Sequence, residues 1–182
     1  MKNGFRCFDS DMHVFDAADL YEKHMDPKWG ERIPRGRRNG RHGRVEFKLG
    51  GGETLRGISE VIDHGQKQVA DRYDFAVARD YDSVSQVEAM DREGLDVAVL
   101  FRTSPLHCDE TLEPEYANDL CRAWNDWIAD FSKENPERLK ASALITLHDV
   151  GLAVDEVRRV VSDLGIRALS LCRLQYRFPR AA

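Results

Sequence analysis

The chain has 182 residues, a hydrophobic share of 42% and a formal net charge of -5 at pH 7. This length suits one domain or a large part of one, and the composition allows a packed core. The acidic balance argues against a general nucleic-acid binder, and no apolar run is long enough to span a bilayer. We therefore expect a protein that binds neither nucleic acid nor membranes. Because the first residues lack the apolar segment of a secretory signal, we also expect it to be cytoplasmic.

The four cysteines are scattered through the chain and form no CxxC pair. This spacing favours neither a cysteine zinc cluster nor structural disulfides in a reducing compartment. The expected role is that of small, partly buried apolar residues. The cysteines are Cys7, Cys108, Cys121 and Cys172.

A short segment, Phe5–Val14, begins apolar and ends in acidic and imidazole side chains, and it predicts the first strand. Residues two apart on a strand point to the same face, so Asp9, Asp11 and His13 are expected to project together. Oxygen and nitrogen ligands of these types hold divalent metals. Two or three of them form only part of such a site.

The region after the first strand is irregular in composition. Asp16 is expected to cap a short helix that Pro27 ends. From about residue 30 to 57, glycines and arginines predict an excursion from the main fold. Within it, Val45–Leu49 alternates and predicts a short strand. The arginines of Arg35–Arg44 could meet a phosphate, a carboxylate or nucleic acid, or form a solvated or partner-contact surface. Net charge and the lack of interleaved aromatics oppose nucleic acid.

From residue 82 onward, helical stripes alternate with short apolar runs, which predicts α/β structure with a parallel sheet. Ser83 and Gln86 resemble a capping box, and Gly94 marks the end of that helix. Trp124 and Trp127 lie on the stripe of the longest helix and are expected in the core. The predicted elements in this region are a helix at 83–94, a strand at 97–101, a helix at 113–134, a strand at 139–147, a last helix and a strand at 166–171. Asp149 is expected to cap the last helix. Its predicted apolar stripe consists of Val150, Val154, Val157, Val161 and Leu164.

The motifs of several common α/β enzymes are missing from the sequence. It contains no GxGxxG and no GxxxxGK[ST], which argues against nucleotide-binding folds. It also contains no GxSxG, which argues against a serine α/β-hydrolase.

Three blocks of sequence follow one another at spacings typical of a known family. They are DSDMHV at Asp9–Val14, MDREGLDVAVL at Met90–Leu100, and a stretch from Tyr116 through NDW and PERLK to Gly165. Together they resemble the metal-dependent amidohydrolase superfamily, in its branch related to aminocarboxymuconate semialdehyde decarboxylase and the resorcylate-type decarboxylases.

The resemblance implies a (β/α)8 barrel with its site at the carboxyl ends of the strands. It makes Asp11 and His13 the first two ligands of a Zn²⁺ or Mn²⁺ ion, with Asp9 supporting them. His107 and His148 follow predicted strands, and each could reach the site or be an ordinary loop residue. No further catalytic residue is assigned.

The implied activity is metal-assisted hydrolysis of a C–N or C–O bond, or decarboxylation, of a small carboxylate-bearing or aromatic substrate. A full barrel needs about 250 residues, and about four strands are predicted here. Residues 1–182 are therefore expected to form the first half of a barrel, with an atypical tail at 172–182 and an incompletely held metal. The alternative is a catalytically inactive half-barrel scaffold. Either form leaves open sheet edges, which predict pairing with a second copy or a complementary half.

Overall fold

The structure, a computed structural model, describes residues 3–38, 45–48, 54–55, 71–103 and 112–172. The predictions for Arg41, Arg44, His107, Cys108 and the tail beyond residue 172 lie outside these ranges. Among the helices in these ranges, none combines the length and the apolar character needed to cross a membrane.

Seven strands form two separate sheets within the described ranges. They are β1 (Phe8–Val14), β2 (Arg35–Arg38), β3 (Val45–Lys48), β4 (Thr54–Leu55), β5 (Val97–Arg102), β6 (Leu139–Ile145) and β7 (Ala168–Leu171). The larger sheet is parallel, in the order β1–β5–β6–β7, and the smaller one is antiparallel, in the order β2–β3–β4. The predicted parallel sheet is confirmed.

Five α-helices join these strands in the described part of the chain. They are α1 (Leu20–His24), α2 (Asp74–Ala78), α3 (Ser83–Glu93), α4 (Pro114–Ser132) and α5 (Val150–Ser162). A 3₁₀ segment at Pro27–Arg32 follows α1. From β5 onward the order is strand, helix, strand, helix, strand, as predicted.

The helix ends show which capping predictions were correct. Asp149 accepts a hydrogen bond from the backbone N–H of Leu152 at 2.8 Å, which confirms it as the cap of α5. Gly94 ends α3 in the left-handed conformation with φ of 72°, as a C-terminal glycine cap requires. The capping box was wrong by one residue, because Asp82 rather than Ser83 is the N-cap of α3.

The helices cover one face of the parallel sheet, here called the helix face, and leave the other, the open face, less covered. On β5, Ala98, Leu100 and Arg102 are buried on the helix face, whereas the alternating residues are only half-buried. Trp124 of α4 is completely buried, and Trp127 packs against the same core. The core prediction for both tryptophans is confirmed.

The predicted apolar stripe of α5 is wrong at its beginning. Val150 is 73% exposed and Val154 is also exposed, while the buried face consists of Ala153, Glu156 and Val160. The sequence pattern missed this face because its central residue is a glutamate, whose burial depends on partners from α4. Those partners and Glu156 form the interhelical cluster, which comprises Arg122, Asn125, Asp126, Glu156 and Arg159.

Every carboxylate oxygen of the cluster's central residue has a donor. Glu156 accepts from Arg122, Asn125 and Arg159 at 2.8–2.9 Å. Asn125 also accepts from the backbone N–H of Leu144 and donates to its carbonyl. Strand pairing between β5 and β6 has already ended at Leu100 and Ala141. The Asn125 amide therefore satisfies backbone groups that a neighbouring strand does not.

The Gly/Arg excursion contains the smaller sheet, and the predicted strand near residue 45 is confirmed as β3. Phe47 is buried with its ring centroid 4.9 Å from that of Tyr21 on α1, so the excursion packs against the main fold. Arg35 is exposed, with its Nε 3.8 Å from a carboxylate oxygen of Glu22.

Candidate metal site

The carboxyl end of β1 contains an irregularity that decides where its polar side chains point. Asp9 pairs with Ala98 of β5, and Met12 pairs with Leu100, so β1 has one more residue than β5 between these rungs. The predicted common face for Asp9 and His13 is therefore wrong, because His13 aligns with Phe101 on the open face and Asp9 aligns with the buried Ala98. Bulges of this kind often re-aim side chains next to functional sites.

Asp11 and His13 nevertheless come together on the exposed side of this strand end. The Asp11 Oδ1 and His13 Nε2 atoms are 3.6 Å apart, and the two side chains are 77% and 54% exposed. Two ligands of one tetrahedral zinc ion lie roughly 3.4 Å apart, given metal–ligand bonds of about 2.1 Å. The separation thus fits a carboxylate–imidazole pair that shares one cation.

The imidazole of His13 is held by the neighbouring strand. Its Nδ1 lies 2.7 Å from the backbone carbonyl oxygen of Arg102. Because a carbonyl can only accept, Nδ1 carries the proton in this bond, and Nε2 is the ring nitrogen nearer to Asp11 and available to a metal. A backbone or carboxylate acceptor on the second nitrogen is the usual way in which a metal-binding histidine is oriented.

Asp9 supports the pair through the backbone. Its Oδ1 accepts a hydrogen bond of 2.9 Å from the N–H of Asp11. This bond braces the extra residue of β1. The supporting role that the resemblance implies for Asp9 thus has a structural counterpart, although Asp9 does not share the face of His13.

Arg102 connects the site to the core. Its guanidinium is buried, with Nε 3.4 Å from a carboxylate oxygen of Asp16, and it lies near the rings of Tyr21 and Trp124. Among the described residues, neither terminal nitrogen of Arg102 has a hydrogen-bond acceptor. The expected helix cap at Asp16 is wrong: Asp19 precedes α1, and Asp16 instead pairs with Arg102.

Charge effects in this buried group oppose one another. Burial works against the charged guanidinium, but the Asp16 carboxylate and the Tyr21 hydroxyl raise the pKa of Arg102 above its ordinary value. Burial likewise raises the pKa of Tyr21, with Arg102 opposing it. Arg102 is therefore a permanent cation beneath the strand end, and Tyr21 is neutral.

The structure brings no third ligand to Asp11 and His13 within the described ranges. No group of three or more histidine, cysteine, aspartate or glutamate residues with metal-site geometry occurs there. His148 follows β6, and its Nδ1 lies 2.5 Å from the hydroxyl oxygen of Thr146. The described structure thus does not bring His148 to Asp11 and His13. His107 lies outside the described ranges, and its role stays a prediction.

Sequence reasoning did not identify Arg102 as part of the site. Every residue has a carbonyl, so the acceptor of the His13 proton leaves no mark in the sequence. The available signal was the position of Arg102 at the end of an apolar run that predicts a strand. The carboxyl ends of parallel strands lie at the same edge of a sheet, where ligands usually bind.

Comparisons with known proteins concern the family and the fold. No family model matches the chain. Over 80 residues it is 30% identical to the gamma-resorcylate decarboxylase of Rhodococcus jostii, a stretch that covers 44% of this chain and 24% of that enzyme. Over 91 residues it is 26% identical to the 2-amino-3-carboxymuconate-6-semialdehyde decarboxylase of Dictyostelium discoideum, covering 50% and 25%. The matched stretch thus spans about a quarter of each relative.

Solved structures show the fold. An amidohydrolase from Mycobacterium avium subsp. paratuberculosis superimposes with a TM-score of 0.64 and 20% identity, over 92% of this chain and 50% of that one. A 5-carboxyvanillate decarboxylase from Novosphingobium aromaticivorans, complexed with manganese and a nitrobenzoic acid, superimposes with a TM-score of 0.52 and 17% identity, over 93% and 42%. The parallel sheet and its helices are half of such a barrel, which confirms the predicted fold class.

Proposed function

We propose that this chain belongs to the metal-dependent amidohydrolase superfamily and that it supplies the first ligand pair of a decarboxylase site for a small aromatic carboxylic acid. The two relatives described above are named as decarboxylases, which favours cleavage of a C–C bond over hydrolysis of a C–N or C–O bond. We also propose a cytoplasmic location, which the scattered cysteines suit because structural disulfides are rare there.

One observation carries the proposal. The Asp11 carboxylate and the His13 Nε2 lie 3.6 Å apart, and the second nitrogen of His13 is already bound to the Arg102 carbonyl. One oxygen and one imidazole ligand suit Zn²⁺ or Mn²⁺. A related structure contains manganese, which favours that ion for this site as well.

A bound divalent ion would supply Lewis-acid stabilisation of negative charge on the carboxylate and neighbouring oxygen of the substrate. The residues of this chain hold and orient its ligands. The Arg102 carbonyl fixes the His13 ring, and Asp9 fixes the backbone at Asp11. Phe101, whose ring centroid is 6.3 Å from that of His13, gives the open face an apolar wall suited to an aromatic ring.

The first test measures metal binding by titration with Mn²⁺ and Zn²⁺ of metal-free protein. Asp11→Ala and His13→Gln are expected to weaken binding by at least tenfold, because each removes one of two ligands. Two matched variants at exposed or half-exposed positions away from the strand ends, Asp155→Ala and His24→Gln, are expected to bind as the wild type does. Equal affinities in all five proteins would overturn the assignment.

The second test concerns the reaction. Release of CO₂ from gamma-resorcylate by metal-loaded protein, lost in Asp11→Ala, is the expected outcome for a decarboxylase. Hydrolysis of an amide or ester instead, with the same dependence on Asp11, would retain the metal site and reject decarboxylation.

A second candidate function is a catalytically silent half-barrel that assembles with another chain. The observation that favours it is the lack of a third ligand in the described ranges, since a closed site needs three or four. Under this alternative the protein binds metal weakly or not at all, and no substrate is turned over.

A further inference from the structure

Two cysteines that lie far apart in the sequence meet in the fold. The Sγ atoms of Cys121 on α4 and Cys172, just after β7, are 3.9 Å apart, although 51 residues separate them along the chain. This distance is that of two thiols in contact, because the sulfurs of a disulfide are only about 2.05 Å apart. The pair has no sequence signature, since it forms only when β7 is in place beside β6.

Both cysteines are held by regular backbone structure. The N–H of Cys172 donates a hydrogen bond of 2.8 Å to the carbonyl oxygen of Ile145, which continues the pairing of β7 with β6. Cys121 lies within α4 and is completely buried in the core. To bond, the two sulfurs must approach each other by about 2 Å, a displacement of the size that rotation about a Cα–Cβ bond provides.

The two thiols differ in their surroundings. Cys172 is half-buried and so has access to solvent, whereas Cys121 is enclosed by protein. The buried guanidinium cation of Arg102 interacts electrostatically with the Cys121 sulfur. A neighbouring cation favours the thiolate, which is the nucleophilic form of cysteine. Cys172 is therefore placed to meet an oxidant from solution, and Cys121 is placed to attack the oxidised sulfur that results.

We propose that Cys121 and Cys172 form an oxidative modification site, at which a small peroxide converts the two thiols reversibly into a disulfide. The bond joins α4 to the carboxyl end of β7. Its ordinary state in a reducing compartment is the dithiol that the structure contains, in keeping with the rarity of structural disulfides there.

The reaction takes place in two steps, with hydrogen peroxide as the oxidant. The Cys172 thiolate attacks one peroxide oxygen, the O–O bond breaks, and a sulfenic acid forms while the second oxygen leaves as water. The Cys121 thiolate then attacks the sulfenic sulfur, the S–S bond forms, the S–O bond breaks, and the departing hydroxide takes up a proton. In total, two thiols and one peroxide give one disulfide and two waters.

The disulfide has a mechanical consequence for this part of the fold. It closes a loop of chain that contains the end of α4, β6, α5 and β7. A cross-link over a long loop restricts the unfolded chain and so stabilises the folded one. The oxidised protein is therefore expected to unfold at a higher urea concentration than the reduced protein.

The test treats the 182-residue chain with a slight molar excess of hydrogen peroxide, then alkylates the remaining thiols in denaturant and counts them by mass spectrometry. Four alkylated cysteines are expected before peroxide and two after it, with Cys121 and Cys172 in the linked peptides. Dithiothreitol is expected to restore all four. Cys121→Ala and Cys172→Ser are expected to form no disulfide, and the second change is at a half-buried position that does not threaten folding. The control Cys7→Ser is expected to form it as the wild type does.

The urea midpoint supplies an independent measurement. Peroxide is expected to raise it in the wild type and in Cys7→Ser, and to leave it unchanged in Cys172→Ser. Four alkylated cysteines in the treated wild type would overturn the proposal. So would a disulfide that contains Cys7 or Cys108, or one that forms equally in Cys172→Ser.

Discussion

The molecule contains two groups of charged side chains that differ in how fully the chain itself satisfies their hydrogen-bonding and ligand atoms. In the interhelical cluster, Glu156 is 1% exposed and all its acceptor positions face donors from α4 and α5. At the carboxyl end of β1, Asp11 and His13 are more than half exposed and face chiefly each other. Both groups are acidic and basic residues in close contact, yet only the second has unused ligand atoms directed to open space.

This difference separates stability from function. A buried carboxylate with every partner supplied by the chain locks two helices together and offers nothing to a ligand. An exposed pair, oriented by backbone groups but left without full coordination, contributes little to folding and is available for a cation. Variants in the first group should therefore change the free energy of unfolding, and variants in the second should change metal binding.

The largest effect is expected for Glu156→Ala. It leaves Arg122 and Arg159 without their shared carboxylate and removes one of the two acceptors of the Asn125 amide. Breaking a buried ion pair by removing one partner costs about 3–5 kcal/mol, and we expect a loss of this size in the free energy of unfolding measured with urea. The neighbouring Asp155→Ala, at an exposed ion pair, should change it by less than about 0.5 kcal/mol. Similar losses in both variants would remove the distinction between the groups.

Arg102 lies outside the interhelical cluster but shares its buried character, because its guanidinium pairs with buried Asp16 while its carbonyl binds His13. Its replacement sharpens the comparison. Arg102→Met leaves the Asp16 carboxylate buried without a cation, and a loss of about 2–4 kcal/mol is expected in urea. The double variant Arg102→Met with Asp16→Leu should recover most of this loss, because the remaining buried charge is also removed. The carbonyl that binds His13 is present in every variant. If the double variant is stable but binds Mn²⁺ more weakly than the wild type, the side chain of Arg102 acts on the site as well.

The smallest effect is expected for a carboxylate of intermediate exposure, Asp82. Partial burial works against its charge, but the backbone N–H of Ser85 and the guanidinium of Arg79 hold the pKa of Asp82 below its usual value. Its contribution to stability is therefore present above the unfolded pKa of about 3.9 and is lost as pH falls through the lower folded pKa. Asp82→Ala should cost about 1 kcal/mol at neutral pH.

The same urea measurement, repeated in strongly acidic buffer, checks the sign of this effect. The difference between wild type and Asp82→Ala should shrink as the carboxylate of the folded wild type becomes protonated. An undiminished difference would mean that the cap stabilises α3 without its charge.

Much of the fold could be predicted because it depends on local patterns. The apolar run of β5, the stripe around Trp124 and the glycine at residue 94 each have a local physical cause, and the structure places them as predicted. The parallel order followed from the alternation of strands and helices. These features need no knowledge of distant partners.

The sequence predictions were wrong where a residue distant in the chain determines the position of a side chain. Asp16 has the residue type of a helix cap, but Arg102, 86 residues away, binds it in the core. Glu156 interrupts an apolar pattern and is buried because α4 supplies two donors to it. The ligand pair was predicted from its two-residue spacing, whereas the acceptor that orients His13 comes from another strand and leaves no local trace.

The extra residue in β1 has a consequence that concerns chain length. Two consecutive residues, Ser10 and Asp11, stand opposite the single rung between Ala98 and Leu100, and both are exposed. Deleting one of them would leave the pairing of Asp9 and of Met12 intact, since the neighbouring rungs already match. The strand would keep its place in the sheet and lose the protruding position beside His13. A single residue thus distinguishes a strand that only pairs with β5 from one that also holds Asp11 beside His13.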